Sequence, residues 1–537
     1  MSAMASTQEI EYRPELIFAL VGPAGVRLDD LSRAVKDHLK TFGYVAIEIR
    51  LSELLKQFVG WTPEPDTTEY TRIKHRQFVA HAFRVEMKHG SALARAAIAS
   101  IREKRASVTS SPDHPASGHA YIIQQLKHPH EIELLRQVYG SSLMVLAGHA
   151  PQAARVKSLA LRMAQKDDHA VDGSYSAKAE EIIHIDDKQE DTDEEHKGLG
   201  QNTRDTYPLA DYFANLGHVS GEHGVNRFID LLFGHPFHTP VPDEYAMYQA
   251  SAASLRSSDE SRQVGAVIVA LTRKENHGKI TNADVVASGM NEVPRRGGGF
   301  YWHEDSPDGR DQWLMAHQGV DRARNIKVSA LTELLYKIRA RNWLKDEVAG
   351  LPANQLAHEL IPYLKGTQFM DIGEFMRPVH AEMAALVDSA RRGVPVQGLT
   401  MYVTTFPCHN CAKHIIAVGL RQVVYLEPYP KSRAQVLHGE EINLDSIDGT
   451  DSDDRVVFLA FTGVAPRQYQ RVFGMTNRGK KGGLALKEWT AARGSLAPKY
   501  IIRNASQAYL LAERQELEKL PTEIYKWDRE FICPTTA

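Results

Sequence analysis

The sequence predicts an α/β protein in two domains, and three observations carry that prediction. An apolar run at 15–21 (Glu-Leu-Ile-Phe-Ala-Leu-Val) ends at Gly22-Pro23-Ala24-Gly25 and leads into a helical pattern and a second apolar run, a βαβ opening. Around 399–426, alternating residues, a proline turn, helical spacing and a further apolar run form a strand–helix–strand unit. Between them the chain turns at Thr239-Pro240-Val241-Pro242, which places a boundary near 235–242 and gives domains at 1–238 and 239–537.

In the first domain, Leu28, Leu31, Val35 and Leu39 fall on one face of a helix, and Tyr44 to Ile49 reads as the next strand. A glycine turn between strand and helix is where phosphate loops occur. The full motif closes on glycine, lysine and a hydroxyl residue, whereas Arg27, Leu28 and Asp29 occupy those places here. Asp29 would repel phosphate and is better suited to capping the helix. Gly22, Gly25 and Arg27 are the candidate nucleotide contacts. Three readings remain open: an active kinase or NTPase, a degenerate fold that senses a nucleotide through Arg27, or a structural and interaction domain. Helical patterns follow at 73–104 and 127–138, with a strand from Leu143 to Leu146. The segment 165–205 is polar and is expected to include an exposed loop. Its apolar stretch Ile182 to Ile185 ends in Asp186-Asp187 and runs into an acidic tract, which favours solvated loop over an acidic strand end.

The second domain opens with a helix from Asp243-Glu244 to Ser254. Arg256-Ser257-Ser258-Asp259 follows, then a strand at Val264 to Val269. A second strand, Val285 to Ala287, leads to Gly289-Met290-Asn291-Glu292-Val293-Pro294. An insertion at 295–376 contains Gly297-Gly298-Gly299, Tyr301-Trp302 and a helical pattern through Leu331, Leu334, Leu335 and Ile338. A lid, an oligomer contact and a loop packed on the domain are all compatible with it.

The most informative residues lie beyond that insertion. His380-Ala381-Glu382 opens a helix with Met383, Leu386, Val387 and Ala390 at helical spacing and Gly393 as its stop. Leu399, Met401 and Val403 alternate as a strand before Pro407-Cys408-His409-Asn410-Cys411 opens a second helix ending at Gly419. Cys408 and Cys411 are one helical turn apart, so both sulfurs reach one metal. Both ligand sets then sit at helix N-termini, where the dipole favours thiolate. One imidazole and two thiolates leave a coordination position open for water, and bring that water's pKa toward neutrality. With Glu382 as proton shuttle, the set is that of a zinc nucleobase deaminase, which attacks C4 of cytosine or C6 of adenine. A structural zinc site needs a fourth ligand, yet Cys533, the remaining cysteine, has no ligand-like neighbours. A redox dithiol gives no reason for His-Ala-Glu at this distance. His409 and His414 are expected at the surface or behind the ligands.

Composition narrows the class. Hydrophobic content of 43% and charged content of 24% are ordinary for a soluble globular protein. Three cysteines exclude a disulfide framework and suit a reducing, cytoplasmic setting. Met1 to Arg13 has no apolar core for a signal peptide, and no apolar run is long enough for a membrane span. A net charge of −3 argues against tight non-specific nucleic-acid binding.

The order Arg-Ser-x-Asp, Val-Gly-Ala-Val-Ile, Gly-x-Asn-x-x-Pro, His-Ala-Glu and Pro-Cys-x-x-Cys resembles the deoxycytidylate deaminase branch of the cytidine deaminase superfamily. The resemblance implies a three-layer α/β/α sandwich with one Zn²⁺ between two helix N-termini. It also implies that Asn291 contacts the substrate sugar and that Arg256 and Ser257 lie near the phosphate. Against these roles stand a turn residue for Asn291 and a surface salt bridge for Arg256. The whole layout, a degenerate P-loop kinase-like half fused to this domain, resembles the bacterial anti-phage dCTP/dCMP deaminases. That implies deamination of free dCTP or dCMP in defence, a homo-oligomer, and control by a small inhibitory RNA. The stretch Gly474 to Gly483, with Arg478, Lys480 and Lys481, would then contact triphosphate or RNA, or remain a solvated loop. A polynucleotide deaminase and a nucleotide sensor without turnover are the alternatives. The intact His380, Glu382, Cys408 and Cys411 count against the sensor.

Overall fold

The computed structural model describes residues 13–64, 68–167, 173–189, 196–217, 221–273, 280–319, 321–364, 367, 369–370, 372–428, 432–444, 454–474, 484–499 and 508–533. The basic stretch 475–483, with Arg478, Lys480 and Lys481, lies outside them. The chain divides into two compact units: one contains Met1–Tyr248, Leu444–Thr450 and Ala460–Ala537, the other Gln249–Asn443 and Asp451–Leu459. The expected second domain, 239–537, therefore differs from the second unit in its C-terminal part, since Ala460–Ala537 packs with the first unit.

The first unit is built on strands β1 (Leu16–Val21), β2 (Val45–Arg50), β3 (His119–Leu126), β4 (Leu143–His149) and β5 (Tyr212–Asn215). The second contributes β6 (Gly265–Arg273), β7 (Ile280–Met290), β8 (Thr400–Thr405), β9 (Gln422–Glu427), β10 (Ile442–Leu444) and β11 (Val456–Ala460). The chain then returns to the first sheet with β12 (Gly463–Val464), giving the orders β12-β5-β4-β1-β3-β2 and β10-β11-β9-β8-β6-β7. β1 lies parallel between β3 and β4, and every β1 side chain is buried, as a strand covered on both faces requires. The helix Leu28–Lys40 buries Leu28, Leu31, Val35 and Leu39 against this sheet, the face its spacing predicts.

Two expectations for this unit change. The continuous helical pattern at 73–104 is broken into Glu69–Glu86 and Ala92–Thr109, with Lys88 at φ +50° and His89-Gly90 in the turn between them. The segment expected as exposed loop contains the helix Gly173–Asp187, which buries Tyr175, Ala179, Ile182, Ile183 and Asp186. The acidic tract that argued for loop begins only where that helix ends.

The C-terminal helix Ala508–Glu518 is held to the first unit by a buried ion network. Arg105 donates to Glu513 Oε2 at 2.7 Å and Oε1 at 2.8 Å, and to Glu15 Oε1 at 2.9 Å. Arg102 adds a bond to Glu513 at 3.1 Å, Tyr139 donates to it at 2.9 Å, and Tyr509 donates to Glu15. Arg102, Arg105 and Glu513 are fully inaccessible to solvent. Charges so buried persist only because each is matched by partners in good geometry.

In the second unit, β6 runs antiparallel to β7 and to β8, and β8 runs parallel to β9. The parallel pair encloses the helix His409–Ala417, the strand–helix–strand unit read from the sequence. The insertion forms helices Asp311–Gln318, Arg322–Arg339, Asp346–Ala349 and Ala353–Leu360. Arg322–Arg339 and Ala353–Leu360 share a small core of Val328, Leu331, Leu335, Ala353, Leu356 and Ala357, joined by Ile361.

Candidate metal centre and active site

Two helix starts converge on the site. His380 is the N-cap of the helix Ala381–Arg392, which closes on Gly393 at φ +67°. Cys408 is the N-cap of His409–Ala417, so Cys411 falls within that helix's first turn. Gly289 fixes the approach of the first helix: a Cβ there would stand 2.3 Å from the Ala385 nitrogen and 2.5 Å from the Ala381 carbonyl. Only a bare backbone lets β7 lie so close to the helix that presents His380 and Glu382.

The ligand atoms of His380, Cys408 and Cys411 lie within 4.8 Å of one another. Cys408 Sγ stands 3.3 Å from His380 Nδ1, and Cys411 Sγ stands 3.4 Å from the same nitrogen. One ring nitrogen cannot serve two thiols as an ordinary hydrogen-bond partner. Two sulfurs and a nitrogen bound tetrahedrally at about 2.3 and 2.0–2.1 Å would be separated, sulfur to nitrogen, by roughly 3.6 Å. The observed spacing is close to that figure, and the donor set fits Zn²⁺ with a fourth position left free.

The electrostatics reflect the crowding. The Cys408 thiol is held down to about 4, first by a hydrogen bond from Cys411 and then by His380. The hydrogen bond to Cys408, and then the charge on that sulfur, raise His380 to about 9, with smaller contributions from Glu382 and Asp259. Glu382 is 5% exposed, in the first turn of its helix. Burial pushes its carboxyl up to about 7, and the charge on Cys408 adds to the shift. A carboxyl held there can both accept and give a proton near neutral pH.

The remaining predicted residues are placed as follows. Asn291 is buried and its carboxamide is committed to the backbone: Oδ1 accepts from Val264 N–H at 2.7 Å, and Nδ2 donates to the Arg262 carbonyl at 2.8 Å. The turn-holding role is thus visible directly. The guanidinium of Arg256 stacks on Trp302, 3.4 Å from the ring centroid, which brings the insertion's Tyr-Trp pair to the Arg256-Ser257 loop. Ser257 Oγ donates to the Asn291 carbonyl at 2.7 Å. His414 Nδ1 is bonded to the Asn410 carbonyl at 2.7 Å, and neither it nor His409 belongs to the ligand cluster.

One residue was missed. Glu292 is buried, accepts from Ser258 N–H at 2.9 Å and Ser258 Oγ at 2.8 Å, and pairs through its backbone with Val379, the neighbour of His380. It ties the Arg256–Asp259 loop to the strand entering the metal helix. An acidic residue beside Asn291 in a turn next to two apolar strands was the available signal.

In the first unit, Gly22 and Gly25 form the turn after β1, with Gly25 at φ +89°. Arg27 is turned outward and paired with Asp30 at 2.8 Å, while Asp29 pairs with Arg50 at 2.6 Å.

Residues 240–427 match the family described as "Cytidine and deoxycytidylate deaminase zinc-binding region". The deoxycytidylate deaminase of Enterobacteria phage T2 is 46% identical over 55 residues, which is 10% of this chain and 29% of that protein. ComE operon protein 2 of Bacillus subtilis (strain 168) is 45% identical over 53 residues, 10% of this chain and 28% of that protein. The chain thus spans less than a third of the length of these relatives. A dCMP deaminase from the cyanophage S-TIM5, in complex with dCMP and dUMP, aligns over 42% of this chain and 99% of its own, at 16% identity and a TM-score of 0.21. Residues 240–427 therefore carry a domain of the dCMP/cytidine deaminase superfamily. Among the described residues, no helix is long and apolar enough to cross a membrane.

Proposed function

We propose that the second unit removes the amino group of free deoxycytidine nucleotides, converting dCMP, dCTP or both to dUMP or dUTP and ammonia, with one zinc per chain. The observation that carries this reading is the convergence of Cys408 and Cys411 on a single nitrogen of His380, beside the buried carboxyl of Glu382. A Zn²⁺ ion held by those three residues supplies Lewis acidity that makes water nucleophilic near neutral pH. Glu382 would take one proton from the attacking water and deliver it to N3 of the ring as the oxygen bonds to C4. It would then take the second proton from the new C4 hydroxyl and give it to the amino nitrogen, so that C4=O forms as the C4–N4 bond breaks and ammonia leaves.

The choice of a nucleotide rests on the loop that borders the metal helix. Arg256, supported on the Trp302 face, offers a planar guanidinium to phosphate. Asn291 holds its turn by fixing Val264 and Arg262, and in this reading that turn meets the sugar. The similarity to phage deoxycytidylate deaminases supports the same substrate class. In this reading the resemblance of the full layout implies depletion of cytosine deoxynucleotides in anti-phage defence, a homo-oligomeric enzyme and restraint by a small RNA, and the three cysteines suit a cytoplasmic location.

The test is ammonia release by the zinc-loaded full chain offered dCMP, dCTP, CMP, CTP and single-stranded DNA. Turnover of dCMP or dCTP is expected. Turnover confined to single-stranded DNA, or none on any substrate with zinc stoichiometric, would overturn the assignment.

A further inference from the structure

We infer that the glycine turn after β1 is an oxyanion cradle, and that the chain fills it with its own Asp186 carboxylate. Ala24 N–H, in the turn itself, donates to Asp186 Oδ2 at 2.8 Å. Lys127, just beyond β3, places its ammonium 2.8 Å from Asp186 Oδ1 and 3.0 Å from Oδ2, and donates to the Gly22 carbonyl at 2.6 Å. Thr203 Oγ1 completes the set with a bond to Oδ2 at 3.2 Å. A backbone N–H in the turn between strand and helix, an ammonium and a hydroxyl are the groups with which a strand–turn–helix crevice receives a phosphate oxygen. Here they converge on a carboxylate that is 3% exposed.

The sequence departures around the turn agree with an internal anion. The place where a phosphate loop carries its lysine holds Leu28, which is packed in the core below. The cation comes instead from Lys127, on a neighbouring strand end, where it meets Asp186. The turn is also roofed: a Cβ on Gly25 would stand 2.5 Å from the Arg155 carbonyl of the helix Gln152–Lys166. Arg27 faces away, in its pair with Asp30. Asp186 reaches the cradle because the helix Gly173–Asp187 runs to that point and ends there. The ammonium, the backbone N–H and the hydroxyl together match the charge and the lone pairs of this buried side chain. While it is seated, the first unit is closed to nucleotide phosphates. This assignment is independent of the deaminase reading.

The experiment uses the full chain and four variants, Asp186→Ala, Asp186→Asn, Lys127→Met and the double variant Asp186→Ala/Lys127→Met. Thermal melting is followed with inorganic phosphate, pyrophosphate and acetate against chloride at matched ionic strength. The unaltered chain should show no saturable response beyond that of chloride. Asp186→Ala should melt lower and recover saturably with acetate or phosphate, whereas the double variant should not recover. If the alanine variant does not fold, Asp186→Asn decides, because its amide leaves Lys127 without a counter-charge and should lower the melting temperature. Saturable pyrophosphate binding by the unaltered chain that Lys127→Met abolishes would overturn the inference. So would a folded Asp186→Ala without anion rescue, or an Asp186→Asn variant as stable as the unaltered chain.

Discussion

Replacing Glu382 with glutamine isolates the proton shuttle from the metal. The side chain keeps its volume in a pocket where it is 5% exposed, and none of the three ligands is touched. Zinc content should remain stoichiometric, and removing a carboxyl that burial pushes up to about 7 should leave the melting temperature unchanged or higher. The rate, in contrast, should collapse. A positioned general acid or base contributes about 10²–10⁴-fold. Glu382 is the group assigned to both transfers, to the ring nitrogen and to the departing amine, so the loss should fall toward the upper part of that range. At about 1.4 kcal/mol per factor of ten, that is on the order of 4–5 kcal/mol of transition-state stabilisation. Single-turnover deamination of dCMP and dCTP, with zinc measured on the same preparation, reads both quantities. Unaltered turnover with full zinc would refute the role of Glu382; loss of zinc would show that the carboxylate is a ligand.

Cys411→Ala should lose stoichiometric zinc and lower the melting temperature of the second unit, because metal affinity and folding are coupled; retained zinc by elemental analysis would contradict the ligand set. Arg105→Met leaves Glu513 and Glu15 without their shared cation in a fully buried network, and should destabilise the first unit by about 3–5 kcal/mol, read as a lower denaturant midpoint. His235 is lowered to about 4, first by burial and then by the charge of His238. A base whose folded pKa lies below its unfolded value makes the unfolded chain bind the extra proton, so stability falls as pH drops from about 6.5 toward 4. His235→Asn should flatten that part of the melting profile, and an unchanged profile would remove His235 as its source.

The legible parts of this molecule share a physical character. β1, the helix Leu28–Lys40, β8 and the helix His409–Ala417 are specified by local periodicity, and each is found within a residue or two of its expected limits; no side chain caps either helix, and Asp29, expected as a cap, pairs with Arg50 instead. The metal cluster was legible for the same reason, since His380, Cys408 and Cys411 sit at helix starts whose signals are local. β3, which lies between β1 and β2, was passed over because Gln124 and Gln125 interrupt the apolar run that marks β1. The helix Gly173–Asp187 was hidden by the acidic run that follows it. The return of the C-terminal segment to the first unit depends on Arg105 meeting Glu513 across 408 positions, and no window on the sequence brings those two together. Asp186 was noticed as the end of an acidic stretch, but its partners Lys127, Ala24 and Thr203 are distant in the chain.

The excursion of the chain out of the first sheet at β5 and back at β12 has a consequence for synthesis. Everything from Gln249 to Leu459 is an interruption in a host that is still incomplete when translation passes it. Until Glu513 emerges, the nascent host holds Arg102 and Arg105 with no counter-charge from the final helix. The guest can mature first, and the host can close only afterwards. A product cut short before Ala508 would therefore carry a finished guest on an unfinished host.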